Sequence, residues 1–197
     1  MIHIIKEGTN DKVIFLLHGT GGNERDLLSI AQAIDSQATH VGIRGNVEEH
    51  GMLRYFARLS DGKFDARSLA KETYTLHKTI LEIINKNNFE QKNITVLGYS
   101  NGANIMQSMM KEFELPFENM YLLHPSPTRV QEPFMSQKAR VFVSTGANDP
   151  YITSEGFQEI ERQLKDASIE TEVFRHNQGH SLTQEELVAV IDHYKNQ

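Results

Sequence analysis

The sequence predicts an α/β protein, a mostly parallel sheet with helices on both faces, and three observations carry that expectation. Apolar runs and amphipathic stretches of helical period alternate almost from one end to the other, which is the pattern of βαβ units. The run Val13-Ile14-Phe15-Leu16-Leu17 is apolar without interruption, as suits a strand buried on both faces of a parallel sheet. A second apolar run ends abruptly at Gly98-Tyr99-Ser100-Asn101-Gly102, a serine held between two glycines. A serine on a very tight strand-to-helix turn sits in a strained backbone that is relieved only if the residues two before and two after lack side chains.

The elements follow in order. A strand over residues 12–18 is entered through Thr9-Asn10-Asp11 and ended by Gly19. The glycine loop Thr20-Gly21-Gly22-Asn23 leads to an amphipathic helix over 24–34, with Asn23 placed to cap it and Leu27, Leu28, Ile30, Ala31 and Ile34 on one side. A short strand is expected over 39–43. Residues 44–59 read as no regular element, and the loop continues to Asp65. Loops of this length in compact domains are usually functional or disordered, and the aromatics and arginines here favour function. A long helix is expected over 66–86, with Leu69, Thr73, Leu76, Ile80, Ile83 and Ile84 near helical period, then a strand over 93–99. After the serine turn, Ala103, Ile105, Met106, Met109, Met110 and Phe113 mark an apolar helix, its methionines read as core packing. Strands over 120–124, 139–145 and 170–175 and helices over 154–165 and 183–194 complete the chain. No internal repeat or linker interrupts it, and 197 residues suit a single domain spanning 1–197.

Composition removes several function classes. Twenty Lys and Arg stand against 26 Asp and Glu, for a net charge of −6, and the basic residues are scattered. Nucleic acid and an anionic membrane surface are therefore not expected partners. Without cysteine there is no disulfide framework, thiolate zinc site or cysteine nucleophile. The N-terminal Met1-Ile2-His3-Ile4-Ile5-Lys6-Glu7 is charged too soon for a signal peptide. No apolar stretch approaches the roughly 18 residues of a membrane span. The expectation is a cytoplasmic protein that does not insert into membranes.

A serine hydroxyl is a poor nucleophile at neutral pH, so the serine turn calls for a histidine base and a carboxylate to orient it, in the chain order serine, acid, histidine. Val141-Phe142-Val143-Ser144-Thr145 runs into Gly146-Ala147-Asn148-Asp149-Pro150, which puts Asp149 just past a strand. Val173-Phe174-Arg175 runs into His176-Asn177-Gln178-Gly179-His180, which puts His180 past the next. His176 falls at the strand end, whereas His180 lies in the loop. Asp61, Asp65 and Asp166, the rival acids, lie away from the expected position. An oxyanion hole needs two backbone N–H groups. Asn101 at a helix start is one expected source, and Thr20 in the loop His18-Gly19-Thr20-Gly21-Gly22 is the other. His18 and His124 end strands on the same side and read as packing residues. No H-x-x-x-H or H-x-H spacing among His18, His124, Asp149 and His180 supports a metal site, and a metal site would leave the serine turn without a use. In the long loop, Met52, Leu53 and Phe56 are candidates to line a substrate pocket, and Arg54 and Arg58 are surface arginines or anion contacts.

Five segments together carry a resemblance: His18-Gly19-Thr20-Gly21-Gly22, Gly98-Tyr99-Ser100-Asn101-Gly102-Ala103-Asn104, Leu122-Leu123-His124-Pro125, Thr145-Gly146-Ala147-Asn148-Asp149-Pro150 and Gly179-His180-Ser181-Leu182-Thr183. They resemble the phospholipase/carboxylesterase family of α/β-hydrolases, which includes acyl-protein thioesterases and small bacterial carboxylesterases. The loop from Arg44-Gly45 through Met52 to Phe64-Asp65 is similar to the bacterial branch. The resemblance implies an α/β-hydrolase fold, Ser100, Asp149 and His180 as a catalytic triad, the Thr20 and Asn101 amides as oxyanion hole, hydrolysis without cofactor or metal, and homodimers in some members. Its thioesterase members usually carry glutamine after the serine, and here stands Asn101. The expected activity is a serine carboxylesterase acting on small to medium carboxylic esters through an acyl-enzyme on Ser100. Thioesterase or lysophospholipase action is the alternative within enzymes, and a non-catalytic binding protein on the same scaffold is the alternative outside them.

Overall fold

The computed structural model of the chain describes residues 1–60 and 63–196, so Asp61 lies outside the described residues. The elements run β1 (His3–Lys6), β2 (Lys12–Leu17), α1 (Leu28–Ile34), β3 (Thr39–Ile43), β4 (Val47–Glu49), β5 (Met52–Arg54), α2 (Ala66–Lys86), β6 (Asn93–Tyr99), α3 (Asn101–Glu112), β7 (Asn119–Leu123), β8 (Arg140–Gly146), α4 (Ser154–Asp166), β9 (Thr171–His176) and α5 (Gln184–Lys195). Seven strands make one sheet in the order β1-β3-β2-β6-β7-β8-β9. Every neighbouring pair in it is parallel except β1 with β3.

Strand β2 shows why the sheet is buried on both sides. Val13, Phe15 and Leu17 pack into the larger core beneath α2, α3 and α4, together with Leu76, Ile80, Met106 and Ile160. Ile14 and Leu16 face the smaller core, with Ala31 and Ile34 of α1 and Val190 and Tyr194 of α5. A continuous apolar run thus serves two cores at the period of two that strands impose. The order of strands reverses direction between β2 and β6. In open α/β sheets this switch point opens a crevice at the carboxyl ends of the strands, and the serine turn and the glycine loop both stand there.

Three segments differ from expectation. The first helix begins at Leu28 rather than Glu24, and Asn23 is not its cap. The Asn23 side chain instead accepts the Arg25 N–H at 2.9 Å. Glu24 is drawn into an ion pair with the partly exposed Arg44, its carboxylate receiving two Arg44 donors at 2.5 and 2.8 Å. Residues 44–59, read as irregular, contain the antiparallel hairpin β4–β5. His50 and Gly51 turn it at φ 52° and 76°, a conformation short hairpin turns require. Finally, β1 adds an antiparallel edge strand in a segment too short and too exposed to leave a hydrophobic pattern.

Helix ends follow local chemistry. The Asp65 side chain caps α2 through the Arg67 and Ser68 amides. Thr183 and Glu186 form a reciprocal capping box that starts α5 directly after the His180 loop.

Candidate active site

Ser100 ends β6 and opens α3 with φ 52° and ψ −111°, outside the ordinary L-residue regions. The turn closes because its flanking residues are glycines. A Cβ on Gly102 would lie 2.0 Å from the Leu17 carbonyl oxygen, and one on Gly98 would lie 2.7 Å from the Gly102 backbone. The Ser100 amide is held by the Leu123 carbonyl at 2.8 Å. The hydroxyl therefore stands fixed above the sheet at the switch point.

The sheet brings the other two expected side chains to it. His180 Nε2 is 2.8 Å from Ser100 Oγ, and His180 Nδ1 is 2.6 Å from Asp149 Oδ2. The acid needs a proton-bearing partner, which puts the ring proton on Nδ1 and leaves Nε2 free to accept from the serine. Asp149 Oδ1 accepts the Tyr151 amide at 2.9 Å. Tyr99, between the first glycine and the serine, donates its hydroxyl to the His180 carbonyl at 2.6 Å. Burial pushes the Tyr99 phenol up to about 12, so it remains a donor across the neutral range.

The amides of Thr20 and Asn101 donate to no protein group among the described residues, and both residues line the cavity that contains Ser100 and His180. The cavity has a volume of about 330 Å³. The Asn101 side chain is used elsewhere, its oxygen accepting the Tyr55 amide at 2.7 Å. Tyr55 in turn donates its hydroxyl to Ile43 and accepts the His18 amide at 3.2 Å. His18 takes the Gly45 amide on Nε2 at 3.0 Å and gives its Nδ1 proton to Gly19 at 2.7 Å. Desolvation lowers its pKa, so His18 is a neutral tie between the glycine loop and the start of the long loop.

The long loop contributes differently from expectation. Met52 reaches the cavity. Phe56 does not: it is fully buried, packed edge-on against Phe64. Leu53 is not among the lining residues either, and it serves through its backbone, whose carbonyl accepts the Gly21 amide at 2.8 Å. Within β5, Leu53 points to the face opposite Met52 and Arg54, whereas Phe56 stands past the end of the strand and joins the larger core. Arg54 is 3 % exposed rather than a surface residue. It lines the cavity and binds Thr20 Oγ1 at 3.0 Å, the Phe56 carbonyl at 3.2 Å and Glu49 at 3.3 Å. Arg58 and Tyr151 also border the cavity, Tyr151 edge-on to the His180 ring.

Behind Asp149 lies a cluster that joins His124, read from the sequence as packing, to His176, read as the rival of His180, and to Glu186. His124 is fully buried, with Nδ1 3.3 Å from Asp149 Oδ2 and Nε2 3.3 Å from Glu186 Oε2. His176 Nε2 is 3.2 Å from His124 Nε2 and 3.6 Å from the same Glu186 oxygen. Burial alone would raise the Glu186 carboxyl, but the contacts with His124, Ser144 and the Thr183 amide together outweigh it and hold the group below the usual glutamate range. These side chains are close enough to surround a metal ion. The Gln178 amide, however, donates to His176 Nδ1 at 3.0 Å, so the ring proton sits on Nε2 and that nitrogen has no lone pair for a cation. His176 and His180 stand four residues apart, with Gly179 at φ 58° between them, and meet different partners, His176 the far nitrogen of His124 and His180 the serine.

No helix among the described residues is long and apolar enough to cross a membrane. Comparison with known proteins is consistent across the chain. The Dienelactone hydrolase family profile matches residues 54–196. MhqD of Bacillus subtilis (strain 168) is 41 % identical over 197 residues, covering 99 % of this chain and 98 % of that protein. Among solved structures, the Bacillus cereus carboxylesterase superposes with a TM-score of 0.92 at 36 % identity, over 98 % of this chain and 93 % of its own. A carboxylesterase from Mesorhizobium loti gives 0.88 at 25 %, over 96 % and 91 %. The mostly parallel seven-stranded sheet is that of the α/β-hydrolase fold.

Proposed function

The chain belongs to the dienelactone hydrolase family, a hydrolase family of the α/β-hydrolase fold, and from that premise we propose that it is a serine carboxylesterase in which Ser100, His180 and Asp149 carry the reaction. The observation that carries the reading is the continuous contact from Asp149 Oδ2 through both His180 ring nitrogens to Ser100 Oγ, at 2.6 and 2.8 Å.

His180 Nε2 takes the Ser100 proton as Oγ attacks the ester carbonyl, and Asp149 holds the ring and stabilises its charged form. The developing oxyanion is met by the Thr20 and Asn101 amides, the latter at the positive end of α3. His180 then passes its proton to the departing alcohol. Water, activated by the same nitrogen, attacks the acyl-enzyme and releases the acid with Ser100 restored. No cofactor or metal is needed for any of these steps. A cavity of about 330 Å³ bordered by Met52 and Tyr151 suits small to medium carboxylic esters. A role in binding alone would give no reason for an imidazole nitrogen to face a strained serine hydroxyl.

The test is a series of aryl esters of increasing acyl length alongside matched thioesters, compared by kcat/KM for the parent and Ser100→Ala. Turnover of the shorter esters by the parent, abolished in the variant, is the expected result. Full activity in Ser100→Ala would end the assignment.

A further inference from the structure

We infer that His124 is a positioning residue for hydrolysis: its Nδ1 proton is a second donor on the Asp149 oxygen that receives His180. The inference rests on the reading of Asp149 and His180 as acid and base. Its geometry is a line of polar atoms entering the site from the rear, from the Gln178 amide to His176, from His176 to His124, and from His124 to Asp149.

The protons along that line can be placed from donor and acceptor identity alone. A backbone amide only donates, so His176 Nδ1, 3.0 Å from the Gln178 nitrogen, is bare and His176 Nε2 carries the proton. An ionised carboxylate only accepts, so His124 Nδ1, 3.3 Å from Asp149 Oδ2, carries one too. On its other edge His124 Nε2 meets one donor, His176, and one acceptor, Glu186. Whether that nitrogen is bare or protonated, Nδ1–H faces Asp149. The ring cannot swing away, because His124 is fully buried at φ 52° with its amide bound to the Ser144 carbonyl at 3.1 Å. The ionisable groups facing it are Asp149 from the β8–α4 loop, His176 at the end of β9, His180 from the β9–α5 loop, Glu186 from α5 and Tyr99 at the end of β6.

Two consequences follow for the reaction. Asp149 is held by His124 and His180 on Oδ2 and by the Tyr151 amide on Oδ1, so its plane is fixed toward His180. The second donor also withdraws charge from the oxygen that supports the His180 imidazolium. Taking it away frees that oxygen for His180 alone and raises the proton affinity of the base.

The first test uses the parent protein with 15N-labelled histidine, reading ring protonation from long-range 1H–15N correlations. His124 protonated at Nδ1, and His176 protonated at Nε2 and bare at Nδ1, are expected. A bare His124 Nδ1 overturns the inference and leaves the Ser100 assignment standing. The second test compares His124→Asn, whose amide NH2 stands near the Nδ1 position, with His124→Leu. For His124→Leu, kcat falls about ten-fold, the effect of one hydrogen bond to a charged group, with KM unchanged, and the acid limb of kcat/KM moves to higher pH. His124→Asn restores both. Equal behaviour of the two variants, an unmoved acid limb, or stoichiometric zinc in the purified parent contradicts it. If His124→Leu fails to fold, the ring protonation of the parent decides alone.

Discussion

Tyr99 donates its hydroxyl to the backbone carbonyl of His180 at 2.6 Å, so the residue next to the serine fastens the loop that carries the histidine facing it. The strained turn and the histidine loop come from elements 81 residues apart, and this bond sets the distance between them. Tyr99→Phe leaves the His180 carbonyl without its partner. A loss of about 1–3 kcal/mol is expected from such a group, divided between thermal stability and a several-fold fall in kcat. Calorimetry with steady-state kinetics on the one variant measures both parts.

The glycines around Ser100 are a steric requirement. Gly102→Ala would set a methyl carbon 2.0 Å from the Leu17 carbonyl oxygen, and β2 is a central strand that cannot retreat. A destabilisation of about 1–3 kcal/mol or more is expected, as for other overpacked sites, and denaturant unfolding of Gly102→Ala against the parent gives the value. Gly51→Ala is the control, since nothing lies within 4 Å of a Cβ there, leaving only the cost of its positive φ.

The Glu24–Arg44 pair predicts a pH dependence of stability. The hydrogen bonds from Arg44 hold the Glu24 carboxyl at about 2, against 4.5 for a free glutamate. A depressed folded-state pKa contributes stability that is complete above the unfolded value and is lost as pH falls through the folded one. Stability should therefore decline between pH 4.5 and about 2. Arg44→Met should flatten that decline and lower stability at neutral pH, as followed by urea unfolding at a series of pH values.

Much of this was legible in the sequence because the strongest signals are steric and periodic. Continuous apolar runs marked the central strands, and the 3.6-residue period placed α2 with the bounds seen in the structure, 66–86. That Ser100, Asp149 and His180 would meet was legible because each stands just past a strand, and a parallel sheet delivers such positions to one edge. The α1 start and the β4–β5 hairpin were not legible, since the Glu24–Arg44 ion pair and a two-residue turn decided them over local pattern. Phe56 and Arg54 exchanged their expected places because an arginine paired with Glu49 can be buried, and an aromatic four residues from Met52 can belong to the core. His124 and Tyr99 gave no sequence signal beyond ordinary strand ends, and Tyr55 lay in a stretch read as irregular, because their roles depend on what three or four separate segments place around them.

The central claim is that Ser100 is an activated nucleophile, and the most direct measurement is reaction with a fluorophosphonate at neutral pH, with the adduct located by mass spectrometry of the digested protein. The account predicts one adduct, on Ser100, formed rapidly in the parent, greatly slowed in His180→Ala and absent in Ser100→Ala, whose ester hydrolysis falls by roughly 10⁴–10⁶. An unlabelled Ser100 in folded parent protein, or labelling equally fast without His180, would contradict it.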